Sequence, residues 1–277
     1  MTGFLDRCNN LYNYLLDCSD KYSNKYKDRD CFKCLKYNFY GKNLDTYDCL
    51  KKLSVYVLYY GELYVKEIYH FLDYSKVLEK EHLFPKGTIN ILSLGAGFCP
   101  DNIAIEQYVN KKNLNLKYNY YGFDIESGWR EIRDDKNIEF AHWRTNPKDT
   151  CEILPKIRSV LYDMNLSNYD IIFINKLFST LVNHEQNKLF LRKFNNALKN
   201  LPQGSIVILN DRNEYTIIKE FEDYIDKSLK LIDKYYIEAP YSPHIKDFKE
   251  IIFDYNPSNE LGKPDKNKTN FLVYQKV

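Results

Sequence analysis

The stretch Asn90–Asp101, NILSLGAGFCPD, decides the fold. Ile91, Leu92 and Leu94 form a short apolar run of the kind that makes a buried strand, and Gly95-Ala96-Gly97 follows at once. Glycines let the chain turn tightly and let a ligand approach the backbone. Pro100 suits the first turn of a helix, where its missing N–H is not needed, and Asp101 suits the positive end of the helix dipole. A strand, a G-x-G turn and a helix N-terminus make a site for a nucleotide-like ligand.

Outward from this stretch, strand-like runs alternate with helical ones, which argues for βαβ units and a parallel sheet. Strands are predicted at Asn90–Leu94, Tyr118–Phe123, Ile138–His142, Tyr169–Ile174 and Ser205–Asn210. The helices between and after them are predicted at Pro100–Val109, Gly128–Asp134, Cys151–Met164, Glu185–Leu198 and near Thr216–Leu229. Two further strand-like runs, Lys230–Ile237 and Asn270–Gln275, are expected to pair antiparallel at the sheet edge. The polar stretch between them, Ala239 to Thr269, reads as a lid or substrate loop.

Toward the N-terminus the periodicity is helical. Leu5, Cys8, Leu11, Tyr12, Leu15 and Leu16 repeat at helical spacing, as do Leu50, Leu53, Val57, Tyr60, Tyr64, Ile68 and Phe71. Pro85-Lys-Gly87 marks the boundary, so residues 1–84 read as a helical N-terminal region and residues 85–277 as the α/β domain.

The second predicted strand ends in Asp124-Ile125-Glu126, and an acid at that place can accept both hydroxyls of a ribose. A dinucleotide fingerprint wants a third glycine where this chain has Pro100, which weakens a pyrophosphate reading. On these residues the chain resembles the class I S-adenosylmethionine-dependent methyltransferases. ILSLGAGFCPD looks like their glycine motif, YYGFDIE like their second motif, YDIIFINKLFS like their fourth strand and GSIVILND like their fifth. The resemblance runs from about Ile89 to Val277. It implies a doubly wound, mostly parallel seven-stranded α/β sheet with an antiparallel terminal strand, and S-adenosylmethionine as cofactor across the ends of the first two strands.

By that resemblance the cofactor contacts are Ser93, Gly95, Ala96, Gly97, Asp101, Asp124 and Ile125, with Asn175 at the end of the fourth strand. Ser93 stands where the family usually has an acid, and Cys99 near a usual glycine; these departures keep a binding module without turnover as an alternative. Transfer of the aminocarboxypropyl arm of the same cofactor is another, and a nicotinamide-dependent oxidoreductase a third. Trp143 and Arg144, just past the third strand, are read as adenine contacts, although packing against a helix explains Trp143 as well.

Methyl transfer needs a nucleophile held at near-attack distance and stabilisation of the charge that moves. Asn175 and Lys176 at the end of the fourth strand, and Asn210 and Asp211 at the end of the fifth, are expected to face the substrate side. Asp211 is the better placed to take a proton from an amine or hydroxyl, and equally suited to capping the next turn. Lys176 suits an anionic substrate, and His184 is read as a substrate contact.

Lys+Arg 40 against Asp+Glu 38 leaves a net charge of +2, too weak a field to point to nucleic acid. The expected acceptor is an unidentified molecule, a small one favoured over RNA or protein. No 18-residue uncharged run is present and Asp6-Arg7 interrupt the N-terminus, so no membrane contact is expected and the cytosol is the expected setting. The seven cysteines then read as reduced thiols. Cys31-x-x-Cys34 with Cys18 and Cys49 fits zinc spacing poorly, and the five histidines are scattered, so no metal is expected.

Overall fold

The computed structural model describes Cys8 and residues 50–80, 87–124, 128–133, 139–140, 165–183, 185–238 and 268–277. The predicted helix at Cys151–Met164, most of the stretch from Ala239 to Thr269, and all of the first helical segment except Cys8 lie outside these residues.

A long helix, α1 (Leu50–Ser75), precedes the sheet. Then come β1 (Thr88–Leu94), α2 (Pro100–Lys111), β2 (Lys117–Phe123), α3 (Gly128–Arg133) and the two-residue β3 (Glu139–Phe140). The second half is β4 (Ile171–Asn175), α4 (Phe178–Asn183), α5 (Asn187–Leu198), β5 (Ile206–Arg212), α6 (Tyr215–Tyr224), β6 (Leu229–Glu238) and β7 (Lys268–Lys276). The strands join one sheet in the order β3-β2-β1-β4-β5-β7-β6, six long strands with β3 as a short edge. β1 through β5 run parallel, and β7 is antiparallel to both of its neighbours.

The central strands are buried on both faces, so they read as continuous apolar runs, as in Ile171–Ile174 and Ile206–Leu209. Their alternate residues feed two cores. Ile91, Phe173, Ile208, Phe271 and Val273 face α1 and α2, while Leu92, Ile172, Ile174, Leu209 and Leu272 face α4, α5 and α6. The helical stripe of α1 therefore lies in the same core as the sheet. Phe71 stacks on Phe271 of β7 with ring centroids 4.4 Å apart, and Cys8 is buried in the same cluster.

Three differences from the sequence pattern go beyond a shift of a strand or helix end by one or two residues or bear on a site residue. The chain makes an additional short helix, α4, before α5; six residues carry too little periodicity to declare a helix. β5 extends to Arg212, so Asp211 is a strand residue rather than one beyond the strand end. The helix expected to reach Leu229 stops at Tyr224, because the Asp226 side chain accepts the Ser228 N–H and turns the chain into β6.

Candidate ligand site at the carboxyl ends of the strands

The sheet order reverses between β1 and β4: β2 follows β1 on one side and β4 lies on the other. Crevices for ligands open at such switch points, beyond the carboxyl ends of the strands. The Gly95–Gly97 turn sits there. Gly95 has φ +69, and a Cβ on it would lie 2.8 Å from Leu177 Cβ, so only glycine lets the chain after β4 come this close. Gly97 has φ +52, and a Cβ there would rest in ordinary van der Waals contact with the Trp129 ring at 3.8 Å.

The turn is tied to β2 by two hydrogen bonds. Ala96 N–H donates to the Phe123 carbonyl at 3.0 Å, and Gly97 N–H donates to Asp124 Oδ2 at 2.8 Å. The acid predicted to hold a ribose is thus beside the glycine turn. Cys99 caps α2 in a left-handed conformation, and burial pushes its thiol up to about 12, so it acts as packing rather than as a nucleophile.

Ser93 and Asp101 lie beneath the turn, both fully buried. Tyr120 donates to Asp101 Oδ1 at 2.7 Å, and burial raises the Asp101 carboxyl above its ordinary range while hydrogen bonds from Ser93 and Tyr120 pull it back. Asn175 Nδ2 donates to Ser93 Oγ at 3.3 Å, which links the ends of β1 and β4.

A pocket opens beside this turn. Its walls bring together the predicted residues Gly95, Ala96, Gly97, Asn175, Lys176 and Asn210, and add Tyr56, Tyr64, Glu67 and Ile68 from α1. Glu67 is the centre of a buried polar cluster. Its carboxylate pairs with Lys176 Nζ at 2.8 Å and accepts from Thr269 Oγ1 at 2.9 Å and Asn210 Nδ2 at 3.2 Å. Lys176 also donates to Thr269 Oγ1 at 2.7 Å and lies 5.3 Å from the Tyr64 ring centroid. The residue leaves β4 with φ +50, a left-handed step that starts the turn into α4.

Sequence reasoning missed Glu67 and Thr269. One signal was available for the first: Glu67 lies among Tyr60, Tyr64, Ile68 and Phe71, an acid within an otherwise apolar helical stripe. Nothing local marks Thr269.

Asp211 is a cap, but of an earlier helix and not of the turn that follows it. Its carboxylate is fully buried, accepts Ser179 N–H at 2.8 Å and Arg212 N–H at 2.7 Å, and so caps the start of α4 instead of lining the pocket. Ile125, Trp143, Arg144 and His184 lie outside the described residues, as do Cys18, Cys31, Cys34 and Cys49. Among the described residues no group of three or more His, Cys, Asp or Glu side chains could hold a metal, and no helix is long and apolar enough to cross a membrane.

Fold and site together define a doubly wound, Rossmann-like α/β protein with a glycine turn and an acid at the switch point of its sheet. No family model matches the sequence, and no curated protein matches it. Solved structures similar to it include methyltransferases. One is a precorrin-6y C5,15-methyltransferase from Geobacter metallireducens, 12% identical over 69% of this chain and 81% of that one, with a TM-score of 0.39. Another is a proposed class I S-adenosylmethionine-dependent methyltransferase from Listeria monocytogenes, 10% identical over 99% of this chain and 79% of that one, at 0.42. A third is a ribosomal protein L11 methylase from Lactobacillus delbrueckii subsp. bulgaricus, 12% identical over 72% and 79%, at 0.38. Likenesses of this size carry no function from one chain to another.

Proposed function

We propose that this chain is a cytosolic S-adenosylmethionine-dependent methyltransferase acting on a small-molecule acceptor. The observation that supports it most is the pairing of Gly97 N–H with the Asp124 carboxylate at the switch point, in a turn where Gly95 leaves no room for a Cβ. The residues fit the cofactor in kind. Asp124 would hold ribose hydroxyls, the Gly97 backbone would pass under the ligand with no Cβ of its own, and Asn175 Oδ1, buried without a partner among the described residues, is an acceptor beside the pocket. When bound, the cofactor supplies an electrophilic methyl group.

The chain's own part is to orient and to exclude water. Tyr56, Tyr64 and Ile68 of α1 form an apolar wall over the pocket, and Glu67 holds the Lys176 ammonium in place. With Asp211 engaged by backbone N–H groups, Glu67 is the carboxylate on the acceptor side of the pocket. Titration calorimetry with S-adenosylmethionine, S-adenosylhomocysteine and NAD tests the reading: the two adenosyl sulfur ligands should bind and NAD should not. Failure of both sulfur ligands to bind overturns it.

A further inference from the structure

Asn210 Oδ1 is buried and has no hydrogen-bond partner among the described residues. The residue is 1% exposed and lines the pocket. Its neighbour settles which amide atom is free: Asn210 Nδ2 donates to Glu67 Oε1 at 3.2 Å, where an oxygen would be repelled. The Lys176 ammonium ends on the same carboxylate oxygen, 2.8 Å away, so amide and ammonium are neighbours at the pocket wall. An ammonium carries three N–H bonds. Glu67 and Thr269 take two of them, at 2.8 and 2.7 Å, and the third has no acceptor among the described residues. One buried acceptor and one charged donor thus stand side by side, a costly arrangement unless something in the pocket meets both.

The pair of needs narrows the ligand. An ammonium group would face the Lys176 ammonium, and a carboxylate would face Asn210 Oδ1 with the Glu67 carboxylate behind it. A hydroxyl gives and takes at a single oxygen. Its O–H can donate to Asn210 Oδ1 while its lone pair accepts from Lys176 Nζ. The lining beside these two residues is apolar and mostly aromatic, from Tyr56, Tyr64, Ile68 and Phe98. We infer that Lys176 and Asn210 form a subsite for an uncharged hydroxyl carried on an aromatic ring. It names a group by which the acceptor is recognised, so it deepens the proposed function and rests on that reading for the transfer itself. Glu67 is a positioning residue here: it turns the Asn210 amide and leaves Lys176 one N–H to give.

The test is a fragment series on the unaltered protein, read by calorimetry or ligand-detected NMR, with and without S-adenosylhomocysteine. Phenol offers a donor and an acceptor, anisole the acceptor alone, toluene neither, benzylamine a cation and benzoate an anion. Phenol should bind about ten- to a hundredfold more tightly than toluene, with anisole between them and both ions behind phenol. Asn210→Leu, which keeps the bulk and drops the oxygen, should bring phenol down to the level of anisole while the thermal unfolding transition persists. Lys176→Met should bring anisole down to the level of toluene; if that protein does not fold, the parent series and Asn210→Leu still decide. Equal affinity for phenol and anisole, a lead for benzylamine or benzoate, or no binding of phenol overturns the subsite. So does a folded Asn210→Leu protein that keeps the preference for phenol over anisole. Displacement of phenol by S-adenosylhomocysteine overturns it as well, because the fragment then sits in the cofactor's own place. Phenol preference with no adenosyl binding leaves the subsite standing and removes the cofactor reading, and adenosyl binding without phenol preference does the reverse.

Discussion

The two halves of the sheet's carboxyl edge are assembled differently. At the β1–β2 end, a contiguous turn and one acid from the next strand make the site, and the bond between them joins Gly97 to Asp124 at 2.8 Å. At the β4–β5–β7 end, the site is a cluster drawn from α1, β5, β7 and the chain leaving β4, with Thr269 bonded to Glu67 from 202 residues away. The first is backbone in a left-handed turn where Gly95 leaves no room for a Cβ, and the second is side chains held by one another. A backbone site tolerates the loss of a side chain but not the gain of one. A side-chain cluster does the reverse, since one missing member leaves buried charge and donors unmet.

The sharpest break of this contrast is Glu67→Ala. It would leave Lys176, 14% exposed, as a buried cation without its partner, and should lower the unfolding free energy by about 3–5 kcal/mol in urea titrations. Glu67→Gln, which keeps the shape, should still destabilise. If Glu67→Ala unfolds at the same urea concentration as the parent, the cluster does not hold α1 to the sheet.

At the other end the damaging change is an addition. Gly95→Val forces a Cβ to 2.8 Å from Leu177 and should cost about 1–3 kcal/mol from overpacking, together with loss of adenosyl-ligand binding. Gly204→Ala is the control: its φ of +88 is also left-handed, but nothing lies within 4 Å, so about 1 kcal/mol and unchanged binding are expected. Equal effects at the two glycines would mean that close approach of the β4 end is not what Gly95 serves.

Asp124→Ala separates binding from folding. Adenosyl-ligand affinity should weaken by about 1.5–3 kcal/mol, the range for a hydrogen bond to a charged group, while the melting temperature moves little. Unchanged affinity would reduce Asp124 to a tie for the turn.

A pH dependence carried by α1 sharpens the contrast from outside the site. Burial lowers His70 from its ordinary 6.5 to about 4, with Asp73 opposing and Lys66 adding to the shift. As pH falls, the unfolded chain takes up the proton first, so this stability is complete above 6.5 and is lost between 6.5 and 4. Denaturation midpoints should fall over that window, and a His70→Gln protein should show a shallower slope. Parallel slopes would remove His70 from the account.

The same contrast explains what could be read in advance. Strand positions, the Gly95–Gly97 turn, Pro100 at the start of α2 and Asp124 at the end of β2 were all legible, because each is written in a short run whose chemistry is local. Asn175, Lys176 and Asn210 were legible by position, since strand ends on one edge of a parallel sheet converge. The work of Asp211 was not, because a carboxylate that caps α4 and one that takes a proton look alike until the backbone N–H of Ser179 is seen beside it. α4 itself was missed because its six residues carry too little periodicity.

By itself the sequence determined the alternation of strands and helices, the switch-point turn and its acid, since periodicity and glycine stereochemistry act within a few residues. Only the tertiary structure decided that α1 closes over the strand ends and that Glu67 and Thr269 join Lys176 and Asn210. Those facts depend on groups far apart in the chain meeting where water is excluded, and no local pattern encodes which buried polar groups will find a partner.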